Sequence, residues 1–101
     1  MFVAIWQYEV RAGAEAEFET LYGADGAWVT LFREHAGYLG TDLLRDADSG
    51  RYLSIDRWRS EADYRSFLAA DPTRYANLDA QGDALTLSER RIGHYSPTAA
   101  P

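Results

Sequence analysis

The chain has 101 residues, 47% hydrophobic and 14% aromatic. That supports one globular domain burying roughly 65% of its unfolded surface, with no room for a second core. It has no cysteine, and its ten basic residues are all arginine, which excludes thiol nucleophiles, cysteine-ligated metals, disulfides, Schiff-base chemistry and a P-loop lysine.

A net charge of −6 opposes nucleic-acid binding. The apolar start Phe2-Val3-Ala4-Ile5-Trp6 is too short to span a membrane and lacks the basic flank of a signal. The expectation is a cytoplasmic protein with no membrane and no nucleic-acid partner.

Phe2 to Val10 reads as a strand with both alternating phases apolar: Phe2, Ala4, Trp6 and Tyr8 on one, Val3 and Ile5 on the other. A strand with one wet face does not look like this; one covered on both sides does. Arg11-Ala12-Gly13-Ala14 turns the chain into a helix, where Phe18, Leu21, Tyr22, Trp28, Val29, Leu31 and Phe32 follow helical spacing. Gly23 and Gly26 interrupt that helix, Asp25 is placed to cap its second half, and His35-Ala36-Gly37 closes it.

Tyr38 to Asp46 and Arg51 to Trp58 form two more strands, joined by the hairpin turn Ala47-Asp48-Ser49-Gly50. Ser60-Glu61-Ala62-Asp63 has capping-box chemistry and predicts a helix from Glu61 to Ala70. Asp71-Pro72 restarts helix to about Gly82, and Leu85 to Tyr95 is the last strand. One domain over residues 1–95 is expected, with 96–101 as a frayed tail.

The order βαββαβ predicts an α+β, ferredoxin-like fold: a four-stranded antiparallel sheet with its helices on one face. The third strand is also apolar on both phases, with Leu53 and Ile55 opposite Tyr52 and Trp58. Both strands therefore ask for a cover on the second face, and a homodimer supplies one.

The run Tyr52-Leu53-Ser54-Ile55-Asp56-Arg57-Trp58-Arg59-Ser60-Glu61-Ala62-Asp63-Tyr64, set after Gly37-Tyr38-Leu39-Gly40, resembles the antibiotic biosynthesis monooxygenase family. The resemblance spans about residues 2 to 95. It implies a dimeric α/β barrel with a cavity between sheet and helices in each protomer. It also implies oxygenation of a polycyclic phenol or quinol by O₂ without a cofactor. The family's haem-degrading branch pairs its tryptophan with an asparagine on the first strand and a histidine on the helix after the third. This chain offers Gln7 there, and Tyr64 and Phe67 on that helix, which argues against haem.

Under the resemblance, Trp58 and Asp56 are the candidate catalytic residues. Trp58 would donate its indole N–H to a substrate carbonyl, or else only close the end of the barrel by packing. Asp56 shares a phase with Trp58 and Tyr52. Facing the cavity it would be a desolvated base; otherwise it pairs with Arg57, Arg91 or a partner's arginine. Gln7, Tyr22, Trp28 and Tyr64 are the candidates for binding a small aromatic substrate. Tyr22, Asp25 and Trp28 surround the helix break, either as a cavity mouth or as a capped kink.

His35 ends a helix and His94 lies near the last strand's end, so both read as structural. Asp46-Ala47-Asp48-Ser49-Gly50 opens like a calcium loop, but Arg51 and Arg57 occupy the glycine and glutamate positions. Arg90 and Arg91 point oppositely along a strand and cannot form one clamp. No metal site is expected. A non-catalytic, ligand-binding or structural homodimer is the alternative on the same fold.

Overall fold

The structure, a computed structural model, describes residues 1–99. The elements run β1 (Phe2–Val10), α1 (Glu15–Tyr22), α2 (Ala27–Arg33), β2 (Tyr38–Arg45), β3 (Tyr52–Trp58), α3 (Glu61–Ala70), α4 (Pro72–Leu85) and β4 (Thr86–Tyr95). The sheet order is β2-β3-β1-β4, with every neighbouring pair antiparallel. This is the ferredoxin-like arrangement, and the helices cover one of its faces. Residues 96–99 continue without regular structure; the last two positions of the expected tail lie outside the described residues.

Register decides which side chains meet the helices. Phe2, Ala4, Trp6 and Tyr8 on β1 pair with Trp58, Asp56, Ser54 and Tyr52 on β3. Of these, Phe2, Ala4, Tyr8, Tyr52, Ser54 and Trp58 are buried. They meet Phe18, Leu21 and Tyr22 of α1, Trp28, Val29, Leu31 and Phe32 of α2, and Phe67 of α3 in a single core. The spacing of Phe18, Leu21 and Tyr22 is the one-face helical pattern that puts all three against the sheet. The opposite phase, with Val3, Ile5, Leu53 and Ile55, is half-buried on the sheet's other face.

The helix break is built differently from the expectation. Asp25 is exposed and does not cap α2; the residue at the cap position is Gly26, which carries no side-chain cap. Gly26 N–H donates to the Gly23 carbonyl (2.9 Å), and the Gly26 carbonyl accepts from both the amide and the hydroxyl of Thr30. The chain doubles back so tightly that a Cβ at Gly26 would run into the Thr20 and Leu21 carbonyls. The helix therefore starts one residue later than a cap at Asp25 would put it.

The other two starts follow the sequence. Ser60 Oγ accepts from the Asp63 amide (3.1 Å), and Asp71 Oδ1 accepts from the Arg74 amide (3.1 Å). Gly82 does not end α4, which runs to Leu85; it lies against the Tyr22 ring and makes room for it. Among the described residues, no helix is long and apolar enough to cross a membrane.

Candidate active site

A cavity lies between the helix-facing side of the sheet and the helices. Its floor is Trp6 and Tyr8 of β1, Thr41 of β2, and Ser54 and Asp56 of β3. Its roof is Tyr22, Trp28 and Phe32 of α1 and α2, Tyr64 and Phe67 of α3, and Tyr75 of α4. Asp79 of α4 and Glu89 of β4 complete one side. The cavity volume is about 40 Å³. At roughly 10–15 Å³ per water this holds a few waters, whereas benzene fills a cavity of about 150 Å³. A flat aromatic ligand therefore enters only when lining side chains move.

The β3 phase left open by the sequence is settled: Asp56 faces the cavity. Burial pushes its carboxyl up from 3.8 to about 6, opposed by the Thr41 hydrogen bond and the Arg57 charge. The expected alternative, an ion pair with Arg57, does not form. Arg57 points to the other face and pairs with Asp42 at 2.8 Å. Asp56 Oδ1 instead accepts from the Thr41 hydroxyl at 2.7 Å. Among the described residues it has no ion-pair partner.

Tyr22, Trp28 and Tyr64, three of the four expected binding residues, line the cavity. Gln7 does not. It pairs with Leu53 and Arg90, in phase with Val3 and Ile5, and lies on the sheet's opposite face. Trp58 is on the correct face but behind the wall. It has no exposed surface, stacks on Phe67 (centroids 5.2 Å apart) and meets the edges of Phe32, Tyr38 and Tyr64. Among the described residues its indole N–H is buried without a hydrogen-bond partner; that of Trp28 meets no acceptor at full hydrogen-bond geometry but approaches the Tyr22 hydroxyl closely enough to oppose the rise that burial gives it. Such an orphan donor costs about 1–3 kcal/mol and calls for an explanation.

His35 packs against Phe67, and His94 lies between Phe2 and Tyr64. Neither lines the cavity.

The sequence reading missed Glu89 and Asp79. Burial, and then the neighbouring charges of Asp79 and Asp83, push the Glu89 carboxyl up to about 7. Burial and Asp83 raise Asp79 as well. Asp79, Asp83 and Glu89 each bring one oxygen within 4.8 Å of the others, the one acidic group among the described residues whose spacing suits a cation. The i, i+4 spacing of Asp79 and Asp83 was visible in the sequence; Glu89's approach from β4 was not. No arginine or histidine lines the cavity. The site thus offers carboxyls, hydroxyls and an indole donor inside an aromatic box, an arrangement suited to removing a proton from a flat, donor-bearing ring.

The architecture agrees with solved structures. SnoaB, a cofactor-independent oxygenase from Streptomyces nogalater, is 22% identical with a TM-score of 0.79, over 98% of this chain and 94% of that one. The monooxygenase ActVA-Orf6 of Streptomyces coelicolor, solved with nanaomycin D, is 25% identical with a TM-score of 0.78, over 99% and 89%. Rv0793 from Mycobacterium tuberculosis is 22% identical with a TM-score of 0.75, over 98% and 96%. No curated protein matches the chain. The family model for antibiotic biosynthesis monooxygenases matches residues 1–77, and the chain belongs to that family.

Proposed function

We propose that the protein is a cofactor-independent monooxygenase acting on a small polycyclic phenol or quinol. The observation that carries this reading is Asp56, a half-buried, desolvated carboxylate without an ion-pair partner that faces an aromatic-lined cavity. With its pKa near 6 it is ionised at neutral pH and basic enough to take a proton from an activated aromatic. For an anthrone, Asp56 removes one proton from the ring methylene, and the resulting carbanion gives an electron to O₂. The superoxide and carbon radical so formed join in a C–O bond. The peroxide anion takes a proton from water, and the hydroperoxide then loses water to leave the quinone. The hydroxide so formed and the proton taken by Asp56 combine in solvent, so that one anthrone and one O₂ give one quinone and one H₂O. The substrate supplies the electrons, so the sequence of steps calls on no flavin or metal.

In this reading Trp28, in the cavity wall, is the indole donor that holds the enolate oxygen, turning from the Tyr22 hydroxyl as the lining opens. Trp58 sits one layer back, behind Phe67 and Tyr64, and acts as the packed wall that positions them. Tyr22 and Tyr64 flank the ring. The similarity to ActVA-Orf6, solved with nanaomycin D, supports a small-molecule ligand for this fold.

The working unit in this reading is a homodimer. The outer sheet face carries Val3, Ile5, Leu53 and Ile55, with Leu44 51% and Tyr95 48% exposed at its sides. Sedimentation at micromolar concentration should give a dimer, and a stable monomer would sink this part.

The small volume of the cavity favours one alternative, a ligand-binding or structural homodimer without turnover. Oxygen uptake with a panel of anthrones and quinols separates the two. Uptake without added flavin or iron, lost in Asp56→Asn, supports the oxygenase. Silence across the panel, with the ligands still bound, supports the alternative.

A further inference from the structure

Asp56 ends a hydrogen-bond chain that reaches from the cavity to a second pocket. In a regular strand, residues three apart point to opposite faces, yet Tyr38 and Thr41 of β2 share one. Tyr38 pairs with Trp58 and Thr41 with Asp56 because the register shifts between Tyr38 and Gly40, which leaves Leu39 as the extra residue. Gly40 takes φ +147° at that bulge, a conformation side chains rarely allow. The result is a continuous chain of hydroxyls. Tyr38 Oη lies 2.6 Å from Thr41 Oγ1, and Thr41 Oγ1 donates to Asp56 Oδ1 at 2.7 Å. Thr41 lines the aromatic cavity, and Thr41 and Tyr38 both line a separate surface groove beside Arg33.

The geometry points to Tyr38 and Thr41 as a proton relay that carries the proton taken by Asp56 out to this groove while substrate fills the cavity. The inference rests on the reading of Asp56 as the base. With Asp56 ionised, Tyr38 donates to Thr41 and Thr41 to Asp56. Once Asp56 is protonated, both hydroxyls turn over. Asp56 then donates to Thr41 Oγ1, the Thr41 proton passes to Tyr38 Oη, and the Tyr38 proton passes to groove water. One proton leaves for each one taken from substrate, and it is matched by the hydroxide left when water protonates the peroxide, so the overall reaction releases no net proton.

The bulge gives the relay its meaning. Had Leu39 been paired normally, Tyr38 would face the outer side of the sheet and Asp56 would have no path away from the cavity. The titratable groups facing Asp56 are Tyr38 on β2, Tyr8 on β1, Tyr64 on α3 and Tyr75 on α4, with the Arg57 charge acting from the other face of the sheet. Asp79 and Glu89 share its cavity. None of these but Tyr38 joins its hydrogen-bond chain.

The test has two arms. In the first, the Asp56 carboxyl is titrated by carbon NMR in aspartate-labelled protein, its resonance assigned by its loss in Asp56→Asn. Removing the donor in Thr41→Val should move the titration about one pH unit higher, Thr41→Ser should restore it, and Tyr38→Phe should give a smaller rise. A titration unmoved by either Thr41→Val or Tyr38→Phe overturns the relay.

In the second arm, an anthrone is turned over at low buffer concentration. Tyr38→Phe should keep a normal first turnover and lose about 10-fold in the steady state, recovered by added imidazole. An unchanged steady state overturns the exit route while leaving the base intact. Asp56→Asn should abolish even the first turnover; full activity there would remove the base, and the relay with it.

Discussion

Replacing Asp56 by asparagine should make the protein more stable while abolishing its chemistry. The carboxyl titrates at about 6 in the folded chain against 3.8 for a free aspartate, because burial penalises its charge. At 1.36 kcal/mol per unit, the folded state carries a penalty of about 3 kcal/mol once the group is ionised. Between about pH 4 and pH 6 the folded chain holds a proton that the unfolded chain has released. Stability from this group is therefore full below about pH 4 and is lost as pH rises through 6. Asparagine is neutral throughout, nearly isosteric, and still accepts from the Thr41 hydroxyl.

The stability difference between variant and wild type should thus rise across pH 4 to 6 and stay flat to pH 8. At about 4 °C per kcal/mol it should reach roughly 10 °C in Tm. Thermal melts at pH 4, 5, 6 and 8, at one protein concentration, measure it. Glu89, which titrates at about 7, contributes to both proteins and cancels in the difference. A variant less stable at pH 8, or a difference that does not change with pH, would refute the desolvation argument.

The indole pair makes a second contrast. Trp28→Phe should lose about 10- to 1,000-fold in oxygenation rate while the protein still folds, because it removes the donor and keeps most of the packed volume. Trp58→Phe, one layer behind the wall, should stay within a few-fold in rate; a collapse there would return the donor's role to Trp58. At the helix break, Asp25→Ala should change stability by less than about 0.5 kcal/mol in a urea melt, since Asp25 caps nothing. Gly26→Ala should cost about 2 kcal/mol or more by crowding two backbone carbonyls.

The sequence carried the fold because its strongest signals are local and periodic. The two apolar phases of β1 and β3, the caps at Ser60 and Asp71, and the hairpin at Gly50, which takes φ +74°, each act within a few residues. Gln7 was legible too: it shares a phase with Val3 and Ile5, so alternation alone puts it opposite Trp6 and Tyr8. The resemblance drew it toward the site against that pattern.

What stayed hidden depends on irregularity or depth. Nothing in Gly37-Tyr38-Leu39-Gly40 announces which residue will bulge, so the meeting of Tyr38 and Thr41 could not be read. The register shifts next to Ile5 and Glu9 likewise break the alternation of β4 and obscure the face Glu89 takes. Trp58's phase was readable, but its distance behind Phe67 and Tyr64 was set by packing.

The size of the cavity and the chemistry of its wall belong to one problem. A core this aromatic closes on itself: Phe32, Trp58, Tyr64 and Phe67 meet edge to face or stacked, with centroids 5.1–6.0 Å apart. That packing leaves about 40 Å³ beside a carboxylate without an ion-pair partner and an indole N–H without an acceptor at full hydrogen-bond geometry. Packing alone would favour neither; apolar side chains of equal volume would stabilise the same space at lower cost. A flat molecule with a carbonyl and an acidic hydrogen supplies what both groups lack, and its binding energy is then available to displace Tyr64 and Phe67. Opening would also bring it toward Trp58, whose unpaired N–H lies in the next layer. The closed site holds its polar groups at the expense of stability, and a ligand that opens it recovers that cost as orientation at the reacting carbon.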